Sequence, residues 1–296
     1  MFVFGRFAII GPIMRVDSHV HILPNYRTRG LVRWMRRAFP QHPIPGDYTW
    51  RDVVGDLRKA GVEYFFAFHF PLSPSETGYL NRFSLKVASR VRGMVPFLSF
   101  HVENAHPGEL VAWWIGEHRA FWGVKLHPFV QGFDPWDERL YPAYEWLEEH
   151  GYPLFLHTGF DELYGGSMPP EKVAEIMKRF PRLRLVAIHM FFPRFREAFE
   201  FLEEWEGVYL DATNVLSYLE MDWPAGVRAA TNLDWFREQV EKWSYRIMFG
   251  SDHPAGAGTL QEVYDILDVW DFSPETRSRL EGDTALELLR SLGYPL

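Results

Sequence analysis

Arg15-Val16-Asp17-Ser18-His19-Val20-His21-Ile22 decides the fold of this chain. The segment opens as a short strand and ends in polar side chains, and it contains no glycine. Open doubly wound sheets that bind nucleotides carry a Gly-rich loop after their first strand. A closed (β/α)8 barrel, the TIM barrel, needs no such loop and collects its reactive side chains where its strands end, so the segment reads as the first strand of a barrel. Strand alternation predicts that Asp17, His19 and His21 share one face, with Val16, Ser18 and Val20 on the other.

Working outward, apolar runs rich in β-branched and aromatic residues recur at 15–20, 62–68, 94–100, 122–126, 153–157, 183–188, 208–212 and 246–249. Helical stretches separate them, at 49–60 with Thr49 as cap and Gly61 beyond, at 138–149 before Gly151, at 170–179, and at 195–204 before Gly207. Stretches 273–280 and 284–292 read as closing helices. Eight strand–helix units with no linker between them predict parallel strands in a single barrel domain over 1–296. The apolar opening, 1–13, is too short to cross a bilayer and lacks a cleavage site; it is expected as a strand or hairpin at the barrel floor, with Met14 as an alternative start.

At 296 residues with a net charge of −8, the chain has no basic run that could track a phosphate backbone, which argues against nucleic acid as a partner. The cluster Arg27, Arg29, Arg33, Arg36 and Arg37 is the local exception, read as a solvated loop and helix face or as a contact for an anionic substrate or neighbouring subunit. A membrane partner is not expected, and a cytoplasmic enzyme is. There is no cysteine, so any metal must be held by imidazole and carboxylate.

Four strand ends carry such groups: His19 and His21 on the first, His157 on the fifth, His189 on the sixth, and Asp252 with His253 on the eighth. Any one histidine could instead be a hydrogen-bonded core residue. Together on one barrel rim, three neutral imidazoles and a carboxylate suit a divalent ion such as zinc, with manganese and other first-row metals as alternatives. Such an ion would lower the pKa of a bound water toward neutrality and polarise a carbonyl.

With the segments Gly123-Val124-Lys125-Leu126-His127-Pro128, His157-Thr158-Gly159, Ile188-His189 and Phe249-Gly250-Ser251-Asp252-His253-Pro254 added to the first strand, the chain resembles the amidohydrolase superfamily, and most closely its amidohydrolase 2 branch, from Val16 to Leu292. The resemblance implies His19, His21, His157 and Asp252 as metal ligands. It implies His189 as a residue acting on water or substrate in single-metal members, or a ligand in two-metal members. Lys125 is expected either as a free ammonium meeting substrate or Asp252, as a carbamylated bridge between two metals, or as a structural ion pair; His127, which points the same way, is expected beside the substrate. Asp252 is a candidate proton shuttle, and Asp211 a group that orients its neighbours. His69, His101 and Glu103 are expected to be structural or peripheral. The aromatic loop residues Tyr26, Trp34, Phe39, Phe129, Phe133 and Trp136 are candidates for an apolar substrate pocket, against core packing or a subunit interface, so that a homo-oligomer is a further expectation.

The expected function is hydrolysis of a C–N or C–O bond, in an amide, ester or lactone of a small molecule. Non-oxidative decarboxylation of an aromatic or unsaturated acid, known in the same branch, is the alternative. A metal-dependent deoxyribonuclease fits less well, because those relatives place an acidic residue where this chain has Lys125, and a non-catalytic binding protein is the reading from another class.

Overall fold

The computed structural model describes residues 14–161 and 163–296, so the expected strand or hairpin over 1–13 lies outside the described residues. Eight parallel strands alternate with helices: β1 Arg15–His21, β2 Val62–Phe68, β3 Met94–Pro96, β4 Val124–Leu126, β5 Leu154–His157, β6 Leu185–Ile188, β7 Val208–Asp211 and β8 Ile247–Met248. Each falls within or beside an apolar run identified in the sequence.

The strands form two hydrogen-bonded arcs, β1 to β3 and β4 to β8. Two single bridges close the ring, Leu98 with Val124 and Val20 with His253. At the first, Lys125 N donates to the Leu98 carbonyl (2.8 Å); at the second, His21 N donates to the His253 carbonyl (2.9 Å) and Asp252 N to the His19 carbonyl (2.8 Å). The ladder thus continues around a barrel, as the alternation of units requires.

The lumen is filled by Val16, Phe66, Phe68, Val95, Phe97, Phe155, Val186, Ile188 and Met248, all at most 1% exposed. A T-shaped pair, Phe97 with Phe155, has its ring centroids 4.8 Å apart, within the range aromatic quadrupoles favour. Ala285, Leu286, Leu288 and Leu289 of the helix Thr284–Ser291 join this cluster and seal the floor. A second, larger apolar layer lies between the outward faces of the strands and the surrounding helices.

The face assignment expected for the first strand is corrected. Asp17 pairs with Phe65 but Val20 pairs with Ala67, so β1 spends one more residue than β2 over that interval, a β-bulge. Val16 faces the lumen, whereas Asp17 turns outward to accept from the Tyr264 hydroxyl (2.8 Å) and the Ser251 backbone (2.9 Å). The extra residue switches the alternation, and His19 and His21 point into the barrel mouth without Asp17.

Helix ends follow local chemistry. Trp50–Lys59 starts at Thr49, whose backbone N–H donates to the Asp52 carboxylate (2.8 Å). Leu260–Val269 begins in a capping box of Thr259 and Glu262. The expected helix at 138–149 is a 3-10 turn, Glu138–Leu140, running into Tyr141–His150, and Gly151 ends it in the left-handed region. The antiparallel hairpin Gly159–Asp161 with Gly166–Met168 stands on the mouth just after β5 and was not expected from the sequence.

Candidate metal centre

The bulge in β1 and the turn after β8 bring the first donors together. The Nε2 atoms of His21 and His19 lie 2.8 and 3.4 Å from Asp252 Oδ1, and one donor atom from each of the three residues lies within 4.8 Å of the others. His19 is 1% and His21 6% exposed. Although two imidazoles converge on it, Asp252 Oδ1 has no hydrogen-bond partner. A buried carboxylate oxygen of that kind is costly unless a cation satisfies it, and this donor set suits a divalent ion.

The tautomers follow from outer contacts. His19 Nδ1 faces Asp211 Oδ2 at 3.4 Å, which places its proton there and leaves the Nε2 lone pair for a cation. Asp211 is itself fixed by the Thr213 backbone N–H (2.8 Å) and the Thr213 hydroxyl, so the residue expected to orient its neighbours stands directly behind a donor. Asn214, which the sequence reading missed, donates through Nδ2 to Asp252 Oδ2 (2.9 Å) and accepts from Ala257 N (3.1 Å). Its only sequence signal was its place just past the end of β7.

His157 does not complete a tight group of four with these three. It belongs to a second set of donor atoms, with His127 and Asp161. Its Nε2 lies 3.4 Å from Asp161 Oδ2, on the hairpin, and its ring stacks on His127 with centroids 3.8 Å apart. His189 links the two sets: its ring centroid is 4.6 Å from that of His157 and 5.7 Å from that of His19. All five histidines and both carboxylates border one cavity of about 100 Å3.

Burial sets the charge states. It holds the His19, His127 and His157 imidazoles well below their ordinary range, so these rings are neutral at pH 7. Burial, and then His157, takes His189 down to about 4. For Asp252 burial acts upward, but facing His19 and His21 overcomes it and keeps the carboxylate far below its usual range. Asp161 is raised, chiefly by burial.

Lys125 lies beneath the site rather than on its wall. It is fully buried, its Nζ has no hydrogen-bond partner and sits 5.4 Å from the Phe68 ring centroid, and it does not border the cavity. Strand alternation sends its side chain into the lumen, among phenylalanines, and burial lowers its pKa to about 7. Lys125 therefore faces the site from the lumen side, below the residues that line the cavity. His127, by contrast, does border the cavity.

Other candidates separate cleanly. His253 turns away to the Tyr48 hydroxyl (2.9 Å), and His69 to Asn81 Oδ1 (2.8 Å). His101 accepts from the Glu103 backbone (3.2 Å) and, like Glu103, does not reach the cavity. Of the aromatic loop residues, Trp34 and Phe39 line the cavity. Phe129 packs edge-on against His157, Phe133 and Trp136 pack on the outer core, and Tyr26, on the helix Asn25–Ala38, is exposed. The arginine cluster lies on the helix Asn25–Ala38, opposite its buried Thr28, Val32 and Met35; Arg27 pairs with Glu76 at 2.8 Å. None of its members borders the cavity.

A family model described as Amidohydrolase matches residues 16–291. No curated protein matches the chain. Among solved structures it is similar to an uncharacterized TIM-barrel protein from Bordetella bronchiseptica, at 18% identity and a TM-score of 0.67, covering 94% of this chain and 99% of that one. It is similar to dihydroorotase from Campylobacter jejuni, at 16% identity and a TM-score of 0.57, covering 93% and 83%. It is also similar to 5-carboxyvanillate decarboxylase from Novosphingobium aromaticivorans, complexed with manganese, at 12% identity and a TM-score of 0.64, covering 94% and 96%. At these identities the likeness establishes the barrel.

Proposed function

The chain belongs to the amidohydrolase family, and from that premise we propose that it is a metal-dependent hydrolase of a neutral, apolar ester, lactone or amide. His19, His21 and Asp252 would hold the divalent ion, and His157, which stands in the adjoining set with His127 and Asp161, would have to turn toward them to serve as the fourth donor. When bound, the ion supplies an acidified water and an electrophilic contact for a carbonyl oxygen. Zinc suits three imidazoles and one carboxylate, and manganese is the alternative.

The remaining chemistry falls to the side chains. Asn214 donates to Asp252 Oδ2 and so holds the carboxylate with Oδ1 toward His19 and His21, while Oδ2, the oxygen left free of the ion, would be the proton acceptor through its second lone pair. His189 donates from Nδ1 to the Thr213 carbonyl (2.9 Å), which leaves its Nε2 as an acceptor toward the cavity. His127 Nδ1 faces the Val130 backbone N–H at 3.5 Å, so its Nε2–H is a donor that can orient a substrate oxygen. Trp34, Phe39, Phe70, Phe160 and Trp223 supply an apolar wall that excludes water.

One observation favours hydrolysis over decarboxylation: among the described residues the cavity is bordered by two carboxylates, Asp161 and Asp252, and by no lysine or arginine. Beyond the ion itself, an acid substrate would find no fixed cationic side chain to hold its carboxylate. The test is product analysis on metal-loaded protein. Turnover of neutral aryl esters, lactones or anilides, with one oxygen from labelled water in the acid product, is expected. Release of carbon dioxide from hydroxybenzoates without ester, lactone or amide turnover would overturn the proposal.

A further inference from the structure

Behind the metal centre lies a second cavity, of about 280 Å3. It shares Met35, Phe39, Tyr218, Trp223 and Ala255 with the first, so the two adjoin. Its outer end is formed by Gln41 and Met221, both exposed, which leaves it continuous with solvent. The shared wall is apolar apart from the Tyr218 hydroxyl and the Trp223 indole N–H.

Away from the exposed Gln41, the lining also carries a buried imidazole. His42 is 8% exposed, yet neither of its ring nitrogens has a hydrogen-bond partner, and the nearby Gly256 backbone does not meet hydrogen-bond geometry. An unpaired buried imidazole is unfavourable, and among the described residues no group makes a hydrogen bond to it. It borders the second cavity, where a ligand atom could pair with it.

We infer that this chamber is a tail subsite: it takes an extended apolar arm of the substrate, and His42 hydrogen-bonds a hydroxyl or carbonyl carried on that arm. The inference rests on the metal-centre reading only in placing the reacting head group at His19, His21 and Asp252. It narrows the substrate class from any neutral ester, lactone or amide to one with a long hydrophobic arm bearing a distal oxygen. Phe39 and Trp223, in edge contact at a 5.7 Å centroid separation, stand on the wall that the two cavities share.

The test uses binding rather than turnover. Straight-chain alkyl hydroxamates of four to ten carbons, which anchor on a divalent ion, are titrated calorimetrically into the metal-loaded protein. Affinity is expected to rise about fourfold per added methylene as the chain enters the chamber, since burying each methylene contributes about 0.8 kcal/mol, until the chamber is full. Met221→Trp, which narrows the chamber from its outer end, is expected to flatten that rise while leaving the shortest hydroxamates bound as in wild type. His42→Phe keeps the apolar volume. It is expected to preserve the rise for plain chains and to remove a three- to tenfold preference for chains with a terminal hydroxyl.

A flat chain-length series in wild type, or a rise untouched by Met221→Trp, would place the arm elsewhere and overturn the inference. No binding at any length would overturn it together with the metal centre. A rise that behaves as expected in a protein without hydrolytic turnover would retain the chamber and reject the hydrolase alone.

Discussion

At the level of single residues the site is a set of donors whose orientation is decided by what stands behind them. His19→Ala is expected to abolish metal retention and turnover with little loss of fold, because it removes a proposed cation ligand near the barrel mouth rather than a lumen-filling phenylalanine; metal content after gel filtration, with circular dichroism as control, checks it. Of the proposed donors, Asp211 meets His19 alone, at its far nitrogen. Asp211→Asn is therefore expected to weaken metal affinity about 10- to 100-fold while leaving the donor set intact, read by competition with a chelator. His19, His21, His157, His189 and Asp252 could be identified from sequence because each ends an apolar run. Asp161 could not: its run, Gly159-Phe160-Asp161, is too short to show a period, and only the hairpin turns it toward His157. Lys125 shows the opposite limit, since a motif gives its strand position but not whether its amine reaches the cavity.

The elements impose constraints that no single side chain reveals. Eight strands and the helices Pro170–Arg179 and Phe195–Glu204 were legible, because apolar period, proline and glycine agree there. The bulge in β1 was not, because register depends on the partner strand and a one-residue insertion leaves the apolar pattern looking regular. The loop between β8 and Asp252 is equally exacting. A Cβ at Gly250 would sit 2.5 Å from His19 N and 2.8 Å from Thr213 Oγ1. Gly250→Ala is thus expected to cost about 1–3 kcal/mol and to push the His19 backbone off its position, so both the denaturation midpoint and metal affinity fall. Unchanged metal affinity in that variant would show that the contact does not set the position of His19. Just beyond, Asp252 holds a left-handed φ of 59°, and His189, Met190 and Phe191 hold 65°, 50° and 54°; such backbone is strained in non-glycine residues and clusters where function fixes it.

Across the whole molecule, buried imidazole dominates the response to acid. His69, His189 and His253 are each lowered to about 4, first of all by burial. Their folded-state values lie below the unfolded value of about 6.5, so between those limits the unfolded chain binds more protons. Stability is expected to be fully present above about pH 6.5 and to decline as pH falls toward 4, with urea midpoints dropping over that window and level above it. A midpoint constant from pH 7 to 4.5 would contradict the burial of these rings.

The ring of strands is joined between β1 and β8 by one bridge, and the donors sit on either bank of that joint: His19 and His21 on one, Asp252 on the other. An ion gripping both banks would be a clasp across one of the two joints that a single bridge closes, and whatever it contributes in affinity it would return as resistance to opening there. Stripping it with a chelator should let the amides of His21 and Asp252 trade their protons for deuterium well ahead of those between β5 and β6, so that catalyst and keystone are lost in the same stroke.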